Sequence, residues 1–373
     1  MRFIVEEAVT RKILSRDLYV EEPSVTAVLS GPAEVNFKVP YRTSDIEFKA
    51  YGQFIHVEDE DYLGNRIIVA SAIVQPSDID PESGALNITA KGFSAYPDGI
   101  PWLENWQEVA PDPFHIVHRI WNHIQSQANG HIGVTVTPAS SGTFLLPGFG
   151  WDGSKFNLEL FGVFIRSSDL KDCYQEMIRL ARDIPFDITE VSVWNPARTA
   201  VDRELKMEYP RRGGKRFDLA FRMGENVLSG TPEAEVEVDW VSSVIVRGWW
   251  PGSIYQGIVS NADPTRFRRT MLEEDASLNS RERADIRAKR KLTKVQIPKH
   301  WSEITLDKYH TSAPFGTYRL GDDILVQGNL PWTGDISEWH RIMSITDDDS
   351  GRISLSLKHV NSMNYDPLIT GAG

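Results

Sequence analysis

One glycine-rich stretch has the residue types and spacing of a cofactor-binding loop. Gly148–Gly153, GFGWDG, matches the G-x-G-x-x-G pattern of dinucleotide-binding proteins. That chemistry requires a helix directly after the loop, because the helix N-terminus binds the pyrophosphate. The residues that follow, Ser154–Ile165, have the pattern of further strand. The stretch therefore indicates a flexible glycine and aromatic loop, and we expect no cofactor.

Three histidines on one predicted helix are candidate metal ligands. His115, His118 and His123 stand at spacings i, i+3 and i, i+8. Metal-binding histidine pairs on a helix usually stand at i, i+4 with a carboxylate nearby, and no H-E-x-x-H motif occurs. The spacing favours surface or hydrogen-bonded histidines, and we expect no metal site.

The candidate nucleophiles and carboxylates also lack the sequence motifs that mark an active site. No G-x-S-x-G motif is present, and Cys173 lies on the apolar face of a predicted helix, where thiols are usually inert. The acidic runs Glu58–Asp61 and Asp347–Asp349 fit solvated turns and strand edges. We therefore predict that the chain is not an enzyme and has no catalytic residues.

Tryptophans and a short basic run are the candidate contact residues. Tryptophan buries a large area and keeps one polar group, which suits protein–protein interfaces and also sugar-stacking platforms. The basic run at residues 211–216 suits a docking tip or a solvated turn. The candidate interface residues are Trp249, Trp250, Trp332, Trp339, Arg211 and Arg212.

Composition limits the class of protein. The chain has 373 residues, 41% hydrophobic residues and a net charge of −12, which indicate a globular, soluble protein of two to three domains. The single cysteine excludes an intrachain disulfide. An acidic surface argues against tight nucleic-acid binding, although DNA could pass it without adhering. No signal peptide or membrane span is expected, because the longest apolar run is about six residues against the roughly 20 needed.

Two distant segments have the same pattern and predict a repeated β-hairpin. Asp80–Lys91, DPESGALNITAK, and Asp347–Lys358, DDDSGRISLSLK, both place acidic residues and Ser-Gly before an alternating strand. The turns are Ser83-Gly84 and Ser350-Gly351.

The similarity continues upstream of both hairpins. Arg66–Val74 and Arg341–Thr346 supply the preceding strands, and Gly52–Val57 matches Gly321–Val326 one strand earlier. Three strands in the same order predict a duplicated β module. The alternative is chance, since acidic Ser-Gly hairpins are common.

Helical periodicity appears between the two modules and again in a polar insertion. Asp112 is a predicted N-cap before Pro113, with Gly130 after the end of that helix. A second helix is predicted near Ser167–Asp183, and the strands Arg203–Pro210 and Arg216–Met223 are predicted to form a hairpin with a basic tip. A further helix is predicted at 280–292, capped by Asn279.

These elements predict an α+β, mainly β fold with two related β modules, an inserted α+β domain and a small helical insertion. The predicted extents are 1–98 for the first module, 99–238 for the α+β domain, 239–262 with 314–363 for the discontinuous second module, 263–313 for the polar helical insertion and 364–373 for the tail.

Several segments resemble one family of viral proteins. They are Ser30–Pro40, Asp169–Ile188, Trp194–Gly230, Tyr318–Gly328 and His340–Val360. In this order they resemble the minor tail proteins of long-tailed actinobacteriophages, specifically the hub at the tail tip. The resemblance covers most of the chain and is weakest at 263–313.

The resemblance implies two related hub β-barrels in each chain and a homotrimer that places six barrels in a ring. Such a ring adapts a sixfold tail tube to threefold tip proteins and forms part of the DNA ejection channel. The implied partners are a distal tail protein ring, the tape measure protein and other minor tail proteins, and DNA passes without specific binding. The implied location is the virion tail tip, assembled in the host cytoplasm.

Two other functions remain open from the sequence. A tail enzyme that degrades the cell wall would clear host peptidoglycan, and a carbohydrate-binding adhesin would use exposed tryptophans on host cells. The chain stops about a dozen residues after the last predicted barrel strand, whereas several relatives carry a long C-terminal extension with a fibre or a hydrolase. Any enzymatic or receptor-binding part is therefore expected on other proteins.

Overall fold

The computed structural model describes most of the chain in 24 strands and two long helices. The described residues are 1–109, 111–143, 149–151, 156–158, 163–177, 186–233, 240–250, 253–275, 278, 281–330 and 334–363. The helices are α1 (Pro113–Gln125) and α2 (Arg281–Val295). The strands are β1 (Arg2–Glu7), β2 (Ile13–Leu18), β3 (Glu21–Val28), β4 (Glu34–Val39), β5 (Gln53–Glu60), β6 (Arg66–Val74), β7 (Asp78–Ile79), β8 (Leu86–Gly92), β9 (Trp106–Glu108), β10 (Val134–Val136), β11 (Phe149–Trp151), β12 (Phe156–Leu158), β13 (Val163–Ile165), β14 (Asp187–Trp194), β15 (Val201–Glu208), β16 (Phe221–Arg222), β17 (Val227–Pro232), β18 (Ser243–Trp250), β19 (Ser253–Ser260), β20 (Thr270–Glu274), β21 (Trp301–Asp307), β22 (Asp323–Leu330), β23 (Gly334–Asp347) and β24 (Arg352–His359).

The predicted fold class, α+β and mainly β, is confirmed. Fourteen strands join in one large sheet, and smaller sheets of two or three strands make up the rest. The main path through the large sheet is β17-β21-β24-β23-β3-β4-β8-β6-β5-β1-β2, with β22, β16 and β7 attached beside it.

The first β module consists of β1 to β8. Its inward-facing residues alternate along each strand, as in β4, where Val35, Phe37 and Val39 are buried and Glu34 and Asn36 are exposed. That period of two places one face of the sheet in an apolar core and the other in water.

The second β module consists of β16, β17 and β21 to β24, and it repeats the strand order of the first. In the first module the antiparallel path is β3-β4-β8-β6-β5, and in the second it is β17-β21-β24-β23-β22. Both paths use their strands in the same chain order, so five strands correspond one to one. The repeat seen in the sequence is therefore a repeat of topology.

The two matching hairpins occupy equivalent places in these paths. Ile79 pairs with Leu86 in the first module, as Asp347 pairs with Ile353 in the second. Gly84 and Gly351 both have positive φ, +71° and +78°, which a residue with a side chain rarely adopts. The Ser-Gly dipeptide therefore holds the equivalent position in the turn of each module.

The modules are joined edge to edge within the chain. The last four residues of β23 pair antiparallel with β3, in the register Ser344–Val28 to Asp347–Val25. The hydroxyl groups of Thr26 and Thr346 lie 2.9 Å apart across this joint. One module therefore continues the sheet of the other through backbone hydrogen bonds.

An α+β unit lies on one end of the first module. Helix α1 starts as predicted, with the Asp112 carboxylate accepting from Phe114 N at 2.8 Å and Pro113 at the first position. It ends at Gln125, earlier than predicted, because the chain turns there and Gly130 packs against the Ile124 carbonyl. A three-stranded sheet, β10-β15-β14, packs with α1. The strand pairs β9–β13 and β11–β12 form two further sheets of two strands each.

The insertion is a separate small unit. Strands β19, β18 and β20 form its sheet, and α2 packs on one face through Ala284, Ala288 and Leu292. The predicted helix is therefore present and three residues longer at its C-terminus, whereas its predicted cap Asn279 and the tail 364–373 lie outside the described residues.

Two predictions about extents are wrong. Strands β18 and β19, assigned to the second module, form a separate sheet with β20 instead. Strands β17 and β21, assigned to the α+β domain and the insertion, belong to the second module. The predicted hairpin also does not form, because β15 pairs with β14 and β10, and β16 pairs parallel with β22. Alternation identifies strands, but it does not identify their partners.

Candidate assembly interface

The predicted tryptophans do not form one surface. Trp249 and Trp250 end β18 in the insertion, and Trp332 lies outside the described residues. Trp339 is half-buried in β23, where its ring lies edge-on to the exposed Phe217 at 5.1 Å and Lys215 Nζ lies 4.9 Å from its centroid. Trp339 thus has neighbours within its own chain.

Arg211 and Arg212 form ion pairs within the chain. Arg211 Nη1 lies 2.8 Å from Asp323 Oδ2 in β22, and Arg212 Nη1 lies 2.8 Å from Glu208 Oε2. Arg216 continues the series with a 3.1 Å contact to Asp322. The basic run connects the α+β unit to the second module.

One buried carboxylate joins three parts of the chain. Asp187, at the start of β14, accepts from Arg212 N at 2.6 Å and pairs with the fully buried Arg341 of β23. Its other neighbour is Ser30, in the β3–β4 turn of the first module, at 3.5 Å. We call Asp187, Arg212, Arg341 and Ser30 the three-way junction, because it ties the α+β unit to both modules.

A buried lysine ties the two modules directly. Lys308 Nζ lies 2.6 Å from Asp59 Oδ2 in the first module and 2.6 Å from Asp347 Oδ2 in the second. Burial opposes the charge, but the hydrogen bonds to Asp347 and Asp59 outweigh it and raise the pKa of Lys308 to about 12. This contact and the β3–β23 pairing join the two modules within the chain.

Glu190 of β14 connects the α+β unit to the first module by hydrogen bonds. Its carboxylate accepts from Ala33 N at 3.1 Å and from Ser94 N at 2.5 Å. Burial raises the pKa of Glu190 to about 7, and the hydrogen bonds from Ser94 and Ala33 only partly offset this.

This raised pKa predicts a pH dependence of stability. The folded protein holds the proton of Glu190 up to about pH 7, and the unfolded chain releases it near 4.5. The stabilisation is therefore complete below about pH 4.5 and lost as the pH rises through 7, by up to about 3 kcal/mol. Urea unfolding at pH 5 and pH 8 should show this loss in the wild type and not in Glu190→Gln. A Glu47→Gln control, at a side chain that is 79% exposed, should behave like the wild type.

A Ser–His–Glu series is buried where the first module meets β15. Ser71 Oγ lies 2.7 Å from His56 Nδ1, and His56 Nε2 lies 3.2 Å from Glu6 Oε2. Arg203 Nη1 holds the other Glu6 oxygen at 2.8 Å. A catalytic triad needs a serine that substrate can reach, and here Ser71 is 2% exposed. No sequence spacing could have pointed to this network, because its members come from four distant strands.

The candidate cofactor and metal residues lie apart from one another. Phe149–Trp151 pairs with Phe156–Leu158 as a strand ribbon, so strand follows the glycine-rich stretch, whose Gly148, Asp152 and Gly153 lie outside the described residues. His118 contacts Thr137 O at 2.8 Å, and the ring of His123 lies 4.2 Å from that of Trp102.

Within the described ranges, no three His, Cys, Asp or Glu side chains are grouped so that they could hold a metal ion. No helix in the same residues has the length and hydropathy to cross a membrane.

Within the described residues, each module has one strand edge that corresponds to the joint between modules and has no partner strand there. Strand β17 corresponds to β3, and among the described strands it pairs with β21 alone, apart from one bridge between Val227 and Met223. Asp78–Ile79 corresponds to Thr346–Asp347 of β23, and of the strands that the structure describes it pairs only with β8. Leu228 on the first edge is 51% exposed and Ile79 on the second is 68% exposed. These two open edges have the form of the two halves of one further joint.

The fold occurs in known tail proteins. The 43 kDa tail protein of prophage MuSo2 from Shewanella oneidensis aligns with a TM-score of 0.59 over 97% of this chain and 99% of its own, at 15% identity. A tail protein from Neisseria meningitidis MC58 aligns with a TM-score of 0.56, covering 99% of each chain at 12% identity.

The prophage tail protein gp18 of Listeria monocytogenes EGD-e aligns with a TM-score of 0.53 at 12% identity, over 96% of this chain and 95% of that one. The chain has the fold of phage tail proteins. The likeness extends over the whole of these proteins and not over one module. No protein-family model and no curated protein matches the sequence.

Proposed function

We propose that this protein is the structural hub of a phage tail tip, a homotrimer that joins a sixfold tail tube to threefold tip proteins. The observation that carries the proposal is the pair of open edges at the two ends of a duplicated module. The likeness to solved tail proteins supports a location in the phage tail. The sequence resemblance supports, more narrowly, the tail tip of a long-tailed actinobacteriophage.

The pairing of β3 with β23 within the chain is the template for the proposed pairing of β17 with β7 between copies. If β17 of one copy pairs with Asp78–Ile79 of the next, every module meets its neighbour as β3 meets β23. Exposed strand edges pair readily with other chains, because their backbone groups lack partners. A head-to-tail contact closes into a ring where its rotation permits, and a ring of three copies has six similar modules.

The ring explains the partners of the hub. Six similar modules present a near-sixfold face to a distal tail protein ring, and three α+β units and three insertions present threefold features to other minor tail proteins. The tape measure protein and the DNA occupy the axis. The net charge of −12 suits a channel that DNA passes without specific binding.

The proposed role involves no catalytic step. The virion tail tip is its location, and assembly takes place in the host cytoplasm. Its chemistry is that of assembly: paired edges, buried ion pairs and complementary charge.

The mass of the purified protein in solution tests the proposal. Sedimentation equilibrium across a range of concentrations should give a species of three times the 42.2 kDa chain. A protein that stays monomeric at every concentration, or that forms a hexamer, contradicts it.

A further inference from the structure

Three buried histidines pack against one another in the second module, at the base of the insertion. His300 directly precedes β21, His340 lies in β23, and His359 ends β24. Their ring centroids lie 5.3 to 6.0 Å apart, and the three residues are 6%, 0% and 1% exposed. Burial and mutual repulsion both disfavour charged rings at such distances. We call these three residues the histidine cluster.

Hydrogen bonds fix two of the rings in the neutral form. His340 Nε2 accepts from Trp301 N at 3.2 Å, while its Nδ1 donates to Glu338 O at 2.9 Å. His359 Nδ1 accepts from Asn361 N at 3.1 Å, while its Nε2 faces the Glu338 carboxylate at 3.2 Å. A protonated ring carries a hydrogen on both nitrogens, so it cannot accept from a backbone N–H. Protonation of either ring therefore breaks its bond to the backbone.

The two bonds lie where the insertion joins the second module. The insertion leaves the module after β17 and returns at β21, and Glu233 N donates to His300 O at 2.9 Å between these two connections. Trp301, which donates to the cluster, is the first residue of β21. The short helical turn Val360–Ser362 begins directly after His359 and lies against α2 of the insertion. The cluster therefore fixes both segments that contact the insertion from the module.

The charged groups near the cluster do not keep it protonated. The carboxylates of Glu338 and Glu233 favour a charged His300, but burial outweighs them and lowers the pKa of this histidine. Burial, followed by the charges of His300 and His359, lowers the pKa of His340 to about 3. An exposed histidine titrates near 6.5. The closed arrangement is therefore favoured fully above pH 6.5 and progressively less as the pH falls from there towards 3.

We propose that the histidine cluster is a pH switch, which holds the insertion on the second module when its rings are neutral and releases it when they are protonated. Protonation removes the acceptors of Trp301 N and Asn361 N and places positive charges against one another. The insertion then moves on its two connecting segments. The switch lies within one chain and does not depend on the proposed trimer.

Hydrogen exchange of the full chain tests the switch. The measured quantity is the protection of Trp301 N and Asn361 N, corrected for the intrinsic exchange rate at each pH. A histidine whose pKa is about 3 when closed and 6.5 when open raises the opening constant about 30-fold between pH 8 and pH 5. Protection at both donors should fall by at least this factor. Helix α1 is the internal control and should stay protected, because protonated Glu190 stabilises its unit at pH 5.

A double variant separates the switch from a general effect of acid. His340→Gln with His359→Asn keeps an oxygen acceptor for each backbone donor and removes two titrating rings. It should reduce the pH-dependent change at least about tenfold. His115→Gln removes a histidine that is 56% exposed and should behave like the wild type.

Two results would overturn the inference. One is a wild type whose protection at both donors is the same at pH 5 as at pH 8, and this comparison needs no variant to fold. The other is a double variant that opens at pH 5 as far as the wild type does. Neither result affects the proposed trimer, which is measured by mass.

Discussion

Replacing Arg341 with methionine should lower the free energy of unfolding by about 3–5 kcal/mol, because it leaves a buried carboxylate without its counter-charge. Arg341 is fully buried, and its guanidinium pairs with Asp187 and donates to Arg212 O at 3.1 Å. The cost arises from Asp187, which keeps its hydrogen bonds from Arg212 and Ser30 but loses its ion-pair partner. Chemical denaturation followed by tryptophan fluorescence measures the loss.

Two further variants separate this effect from a general loss of charge. Arg319→Met removes an arginine that is 65% exposed and 3.8 Å from Asp322, so it should cost about 0–1 kcal/mol. Arg341→Met with Asp187→Asn removes both charges and should recover part of the loss. A single Arg341 variant as stable as Arg319→Met would mean that the three-way junction does not hold the modules together.

Placing lysine at both open edges should abolish the trimer without unfolding the chain. Ile79 and Leu228 are 68% and 51% exposed, so Ile79→Lys and Leu228→Lys disturb little in the single chain. In the proposed ring the lysine at 79 would enter the joint at the position that Asp347 holds within the chain, whereas Leu228 lies on β17 before the part that corresponds to Val25–Val28. At about 3–4 kcal/mol for an unpaired buried charge, Ile79→Lys should weaken association by about two to three orders of magnitude, and Leu228→Lys should weaken it less.

The matched control lies on a different strand. Val193→Lys introduces the same charge at a position of β14 that is 53% exposed and belongs to neither edge. It should leave both the circular dichroism spectrum and the trimer unchanged, whereas the edge variants should keep the folded spectrum and lose the trimer. Edge variants that remain trimeric would place the contact between copies elsewhere.

Local patterns were sufficient to predict the elements that depend on neighbouring residues. The Asp112 cap, helix α2 and the turns at Gly84 and Gly351 all follow from residues close in the sequence. The repeated hairpins also identified two related modules, because the same alternation and the same turn recur in the same order.

Long-range pairing could not be predicted from the same patterns. Strand β21 lies in a polar, arginine-rich stretch, and only its pairing with β17 and β24 shows that it belongs to the second module. Arg211 looked like part of a basic tip, because its partner Asp323 is distant in the sequence. Buried ion pairs depend on the whole fold, and no local signal marks them.

The two modules of the chain carry different extra units. The α+β unit follows β8 in the first module, and the insertion lies between β17 and β21 in the second. In the proposed trimer, each unit would therefore add a feature three times to a ring of six similar modules.

Electron cryomicroscopy of the tail end, resolved well enough to assign rotational order, would show the proposed ring itself. We expect three copies around the axis, six β modules in one ring, and equivalent joints at β3–β23 within copies and at β17–β7 between them. Six copies in the ring, or three copies whose modules meet through other strands, would contradict it.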